Sequence, residues 1–218
     1  MKIILTGATG MVGEGVLLEC LAHPEIEKVL IVGRRHYDLA HPKLDELLVP
    51  DFFDLAGAES RLTGYDACFF CSGVSSVGMK EPEFTRVTYD LTLHFAKTVS
   101  ALNPGMAFTY VSGAMTDGTE KGRLMWARVK GKTENDLMKL PFKGVYNFRP
   151  GFMKPTPGQK SIKSTYRLMG ALYPLLRVLM PGQILTLQQV GRAMINCVKT
   201  SRAGGVLEIQ DIRAMVDA

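Results

Sequence analysis

The chain has 218 residues, 46% of them apolar, with a formal net charge of +5 and four cysteines. That composition supplies one sizeable core without metals or disulfides, and it excludes both an intrinsically disordered chain and a disulfide-stapled one. Met1 runs directly into an apolar stretch instead of a basic segment followed by a long apolar one, so we expect no signal peptide and a cytoplasmic location.

Ile3 to Leu5 suits a short buried strand. Thr6 to Gly13 then reads TGATGMVG, and Val12, Val16, Leu17 and Leu21 continue at helical spacing. Glycines at 7, 10 and 13 between a strand and a helix let the backbone approach a pyrophosphate, with Thr9, Met11 and Val12 completing the cradle at the helix N-terminus. A glycine-rich turn without a ligand is the competing reading; the flanking strand and helix are the context a dinucleotide site requires. Val29 to Val32 repeat the strand pattern and lead into Gly33-Arg34-Arg35. An acidic residue at this point would bond a ribose 2′-hydroxyl, whereas arginine accommodates a 2′-phosphate. Arg34 and Arg35 therefore favour NADP over NAD, unless they are two solvated loop arginines.

Leu47 to Val49 reads as a third strand, after which Asp51 and Phe52 border an adenine or belong to a loop packing its aromatics. Ala67 to Cys71 reads as a fourth. Cys68 and Cys71 form a CxxC, but residues three apart on a strand point to opposite faces, and no second Cys or His pair stands at ligand spacing, so we read them as reduced core thiols and expect no metal. Cys71, Ser72 and Gly73 open a small-residue loop that permits close approach of cofactor or substrate.

Phe84 to Leu102 is an amphipathic helix closed by Asn103-Pro104-Gly105. The strand Ala107 to Val111 leads to Ser112-Gly113, a helix runs from Arg123 to Leu140, and Gly144 to Phe148 forms a sixth strand before Arg149-Pro150-Gly151. A helix over Leu187 to Lys199 precedes a last strand over Val206 to Ile209. Strands alternating with helices predict an α/β fold, a doubly wound parallel sheet in a single domain over 1–218. The stretch 152–186 breaks the rhythm. Leu168 to Met180 is apolar but interrupted by Pro174 and Arg177, and too short to span a bilayer. A lid over the substrate pocket, a dimer contact and a membrane-surface helix fit it, in that order of preference.

Between Asp136 and Glu208 there is no acidic residue, while Lys139, Lys143, Arg149, Lys154, Lys160 and six further bases fall there. Such a field draws an anionic partner, either a substrate phosphate or carboxylate or a weakly bound anionic membrane, or else it is a basic solvated surface. No nucleic-acid motif accompanies the bases. We expect a small-molecule substrate, no nucleic acid, and a monomer or homodimer.

TGATGMVG, GRR, FFCSG, YVSG and RPG, in this order over nearly the whole chain, resemble the short-chain dehydrogenases/reductases of the extended or atypical kind. The similarity is greatest to small NADP-binding atypical members such as the Tat-interacting oxidoreductase-like group and bacterial proteins of the NAD-dependent epimerase/dehydratase type. The resemblance implies a Rossmann-type domain and adds Pro150 and Gly151 to the cofactor-binding residues. In active relatives a Tyr exchanges the proton, a Lys on the same helix holds the nicotinamide ribose, and a Ser after the fifth strand orients the substrate oxygen. Ser112 and Lys130 match the last two. Trp126 stands where the Tyr belongs, and an indole N–H does not exchange a proton near neutral pH. The implied activity is NADP-dependent oxidoreduction of a carbonyl or hydroxyl on a small, anionic substrate, with the proton supplied by Lys130, by a water at Ser112, or by Tyr166 or Tyr173. The alternative is a non-catalytic module that binds NADP and reports its level.

Overall fold

Apolar runs of four to six residues form strands where both faces are covered, and in the computed structural model, which describes residues 1–162, 183–200 and 204–217, they do so in one central sheet. In chain order the strands are β1 (Lys2–Thr6), β2 (Lys28–Gly33), β3 (Leu44–Leu48), β4 (Ala67–Phe70), β5 (Ala107–Val111), β6 (Gly144–Phe148), the short β7 (Phe152–Lys154) and β8 (Ile184–Thr186), and β9 (Gly204–Leu207). The helices are α1 (Met11–Ala22), α2 (Glu59–Leu62), α3 (Glu81–Thr85), α4 (Leu91–Leu102), α5 (Met125–Leu137), α6 (Leu187–Lys199) and α7 (Ile209–Ala214). The main sheet is parallel throughout, in the order β3-β2-β1-β4-β5-β6-β9, and β7 and β8 pair in parallel beside it. The chain leaves β1 towards one edge and returns to build the other from β4, which opens a crevice at the C-terminal ends of β1 and β4.

One face of the sheet, through Ile3, Leu5, Ile31, Phe69 and Phe148, packs on α1 and α6. The other, through Ile4, Leu30, Phe70, Phe108 and Tyr110, packs on α4 and the end of α5. Each fully buried side chain of this kind contributes about 1.5–3 kcal/mol relative to exposure. Helix α1 is buried on nearly all sides, because α6 covers the flank that the sheet does not. Glycine on each helix permits the approach: a Cβ on Gly15 would lie 2.7 Å from the Leu187 side chain, and one on Gly191 2.8 Å from Glu19 Cβ.

Between α3 and α4 the helix widens into one π turn over Arg86–Asp90, closed by the Leu91 N–H donating to the Arg86 carbonyl. Several boundaries differ from the sequence reading: β4 ends at Phe70 instead of Cys71, and the helix read from Phe84 begins at Glu81. β3 begins at Leu44 instead of Leu47, as a half-buried edge strand with Asp45 and Glu46 in its interior. β9 ends at Leu207; Glu208 and Asp211 form a capping box that turns Ile209 into the first residue of α7. α5 spans 125–137 and not 123–140. The β7–β8 pair leaves no periodicity in the sequence, since each strand has only three residues. Leu168 to Met180, Tyr166 and Tyr173 lie outside the described residues.

The basic C-terminal third spends much of its charge internally. Arg149 bonds Glu134 (Nη2–Oε2 2.6 Å, Nε–Oε1 3.1 Å) and Glu208 (3.0 Å), Arg192 bonds Glu19 (2.7 Å), and Lys199 bonds Glu25 (3.0 Å). The bases of the last third thus meet acids of α1, its following loop and α5, and the charge asymmetry of the sequence becomes a set of tertiary clamps.

Candidate dinucleotide site

The β1–α1 turn packs directly on the end of β4. Gly7 holds a positive φ of 76°, and a Cβ there would lie 2.7 Å from the Cys71 carbonyl and from the Ser72 nitrogen. Gly13, on the first turn of α1, faces inward: its Cβ would meet the Gly7 carbonyl oxygen at 2.2 Å. Gly10 occupies the N-cap and no side chain caps the helix, so the N–H groups of the first turn lack intrahelical acceptors and face the crevice end with the positive end of the helix dipole. A phosphate suits this cradle.

Two adjoining cavities extend from the turn. One, of about 370 Å³, is walled by the turn, by Gly33, Arg34 and Arg35 after β2, by Glu46 and Phe52, and by Val87 and Leu91 from the π turn and the start of α4. The other, of about 640 Å³, is walled by Met11, Val12, Ser112, Lys130, Pro150, Met153 and the strap 160–162. Thr9, Gly10, Cys71, Ser72, Gly73 and Val74 line both, so the two form one cleft centred on the glycine turn.

In the second cavity, Lys130 donates to the Ser112 carbonyl oxygen (2.5 Å), and burial pulls its ammonium below the ordinary lysine range, with Glu134 opposing. The Ser112 hydroxyl donates to the Phe148 carbonyl (3.0 Å) and the residue is buried. Burial pushes the Cys71 thiol up to about 12, so it is inert. Cys68 is wholly buried, whereas Cys71 reaches the cleft, which refines the reading of both as core thiols.

Several sequence-selected residues sit elsewhere. Asp51 is exposed, accepts a hydrogen bond from the Phe53 N–H and is not a cavity wall; Phe52 is, packed against Phe95 with ring centroids 5.4 Å apart. Gly13 and Gly151 act through packing: a Cβ on Gly151 would lie 2.7 Å from the Gln183 carbonyl oxygen. Trp126 is half-buried in the first turn of α5 and lines neither cavity, although Lys130 one turn further along does. Spacing of four on a helix therefore does not bring both residues into the cavity wall.

Other residues tie the walls of the cleft together without a sequence signal: Tyr37 lines one cavity and Lys160 and Ser161 the other. Glu14 is buried in the first turn of α1 and accepts from the Lys160 N–H (2.8 Å), the Ser161 N–H (2.7 Å) and the Tyr37 hydroxyl (3.0 Å). Burial would raise its pKa; these hydrogen bonds outweigh burial and hold the carboxyl below the usual range. Burial, followed by the Glu14 carboxylate, drives the Tyr37 phenol upward. Gln159 donates to the Met11 carbonyl (2.7 Å) and Lys160 Nζ to the Asp38 carbonyl (3.1 Å). The strap 156–162 is thereby tied both to α1 and to the arginine loop.

No family model matches the chain. It is 28% identical over 161 residues to Protein fmp52-1, mitochondrial, of Aspergillus terreus, covering 71% of this chain and 68% of that one. It is 24% identical over 223 residues to Protein HTATIP2 of Rattus norvegicus, covering 99% and 88%. Among solved structures, MoeE5 in complex with UDP-glucuronic acid and NAD superposes with a TM-score of 0.70 over 96% of this chain and 76% of that one, at 17% identity. The Bordetella bronchiseptica enzyme WbmG in complex with NAD gives 0.69 over 100% and 77%, at 15% identity. The fold these structures share with the chain is the Rossmann-type doubly wound parallel sheet. In sequence the chain resembles their atypical members, with HTATIP2 and the fungal fmp52 proteins among its relatives. On this doubly wound parallel sheet, the cleft described above occupies the crevice where the strand order reverses. Among the described residues no helix is long and apolar enough to cross a membrane.

Proposed function

We propose that the chain is an NADP-binding oxidoreductase of the atypical short-chain dehydrogenase/reductase type, acting on a carbonyl or hydroxyl of a small anionic substrate. The observation that carries this reading is the continuous cleft through the glycine turn, with arginines at one end and Ser112 and Lys130 at the other. In this reading Gly7 and Gly10, with the first-turn N–H groups of α1, hold the pyrophosphate, and Arg34 and Arg35 hold the adenosine 2′-phosphate. Phe52, Val87 and Leu91 offer an apolar wall to the adenine. Cys71, Ser72, Gly73 and Pro150 border the nicotinamide half. The nicotinamide, when bound, supplies or accepts a hydride. Lys130 holds the ribose and, lowered by burial, is a group able to hand on a proton; the Ser112 carbonyl fixes its ammonium. Lys130 and Lys160 line a cavity with no acidic wall residue among the described residues, which suits an anionic substrate. A cytoplasmic location belongs to this proposal, and since the fungal relatives are named as mitochondrial, fractionation of the native host checks it.

The test is calorimetric titration with NADPH and NADH on the wild type, Arg35→Ala and Lys130→Ala. Tighter NADPH binding that weakens about tenfold without Arg35, the worth of one charge-assisted hydrogen bond, supports the pose. Binding of neither nucleotide refutes it. A second reading, a non-catalytic NADP-binding module, is favoured by Trp126 lying outside the cleft and by the Ser112 hydroxyl being engaged by Phe148. Absence of carbonyl reduction in both the wild type and Trp126→Tyr, with NADPH still bound, decides for the module.

A further inference from the structure

The loop that follows β2 is not purely basic in space. β3 pairs with β2 so that Glu46 stands opposite Ile31, and its side chain joins Arg34 and Arg35 in the wall of the cleft. The loop engages both of its oxygens: Oε1 accepts from the Tyr37 N–H at 2.8 Å, and Oε2 meets His36 Nδ1 at 2.5 Å. The Glu46 side chain is 22% exposed and that of His36 70%. Arg61, the nearest cation on α2, is committed to Asp45 and to the Glu46 backbone carbonyl, not to the Glu46 carboxylate. On the α1 side the neighbouring charge is Glu14, which reaches the loop through the Tyr37 hydroxyl. Among the described residues the Glu46 carboxylate is thus met by His36 and the Tyr37 N–H, and it shares the cavity wall with Arg34 and Arg35, the two residues suited to an anion.

We propose that Glu46 sets the choice between a 2′-phosphate and a 2′-hydroxyl on the adenosine ribose. A hydroxyl can donate to a carboxylate, whereas an ionised phosphate cannot and is repelled by it. Glu46 thus opposes what Arg34 and Arg35 attract, and His36 tempers that opposition by pairing with the carboxylate. The result is a site that takes both forms of the cofactor, with a preference for the phosphorylated one smaller than two arginines alone would give. This inference rests on the dinucleotide reading, and its test keeps the two apart.

Adenosine 2′,5′-bisphosphate and adenosine 5′-monophosphate differ only in the group at issue. Their affinities are measured calorimetrically on the full chain as wild type, Glu46→Gln and His36→Gln, with a thermal melt of each. Glutamine keeps an acceptor for the Tyr37 N–H and removes the charge, so Glu46→Gln raises the bisphosphate-to-monophosphate affinity ratio about tenfold. His36→Gln, in an exposed loop position, lowers the ratio about threefold by unmasking the carboxylate. An unchanged ratio in both variants, with wild type binding both nucleotides, overturns the role of Glu46 and leaves the dinucleotide site standing. Failure of wild type to bind either nucleotide overturns both.

Discussion

Arg149 sits at the end of β6, one residue before the Pro150 that walls the second cavity, and carries the most buried ion pair of the described residues. Its side chain is 14% exposed and that of Glu134 1%, and two parallel N–H···O bonds join them, so the Glu134 hydrogen bonds raise the Arg149 pKa against the effect of burial. Arg149→Met leaves Glu134 buried and unpaired. Removing one partner of such a pair costs about 3–5 kcal/mol, whereas the half-exposed Glu208 contact adds little. With 218 residues and about 2.1 cal/mol/K of unfolding entropy per residue, the chain unfolds with roughly 0.46 kcal/mol/K, so Tm falls by about 7–11 °C. The assay is a thermal melt at neutral pH, repeated on Glu134→Leu and on the double variant. If the buried charge is the cause, each single variant is severely destabilised and the double variant recovers most of the loss. A single-variant shift below about 2 °C, or losses that simply add, would refute the reasoning.

Gly13→Ala places a methyl 2.2 Å from the Gly7 carbonyl oxygen and forces the turn away from β4, so nucleotide affinity drops by at least about tenfold, measured by the same calorimetry; unchanged affinity would deny the turn its role. Thr109 Oγ1 is buried with no hydrogen-bond partner among the described residues, so the isosteric Thr109→Val raises stability by about 1 kcal/mol, seen as a higher urea midpoint at unchanged slope. Glu14, with its carboxyl held below the usual range, contributes stability that is present above its unfolded pKa of about 4.3 and is lost as pH falls through its lower folded value. Glu14→Gln therefore flattens the acid limb of the stability–pH curve below that point, and an identical limb in wild type and variant counts against the charge being the cause.

The central strands were legible because parallel strands buried on both faces must be apolar runs: IIL, VLIV, ACFF and GVYNF each announce themselves. The glycine turn was legible for a different reason, since backbone closeness leaves glycine as its only trace. Edge strand β3 was misplaced because LDELL is only half-buried and mixes charge with leucine. The same half-burial hid Glu46, whose partners lie on the preceding loop. Glu14 and the strap were illegible in another sense. Their bond joins positions 146 and 147 residues apart, and nothing in a one-dimensional pattern links a helical glutamate to two distant N–H groups. Trp126 shows the limit of helix arithmetic, which gives a shared face but not how deep along the helix a cavity reaches.

The order in which the sheet grows bears on how the cleft is made. Strands are added outward, first β2 and β3 on one side of β1, then β4, β5, β6 and β9 on the other, so each finds its neighbour already present. The face of α1 away from the sheet, however, waits for α6, and the first turn of α1 waits for the strap. A ribosome-bound chain that has released only residues 1–148 thus holds six of the seven sheet strands with one flank of α1 bare. Such long-range closure is the slow part of folding, and it comes last. The glycine turn, whose helix is flanked by α6 and tied to the strap, thus reaches its final surroundings only after the sheet is in place.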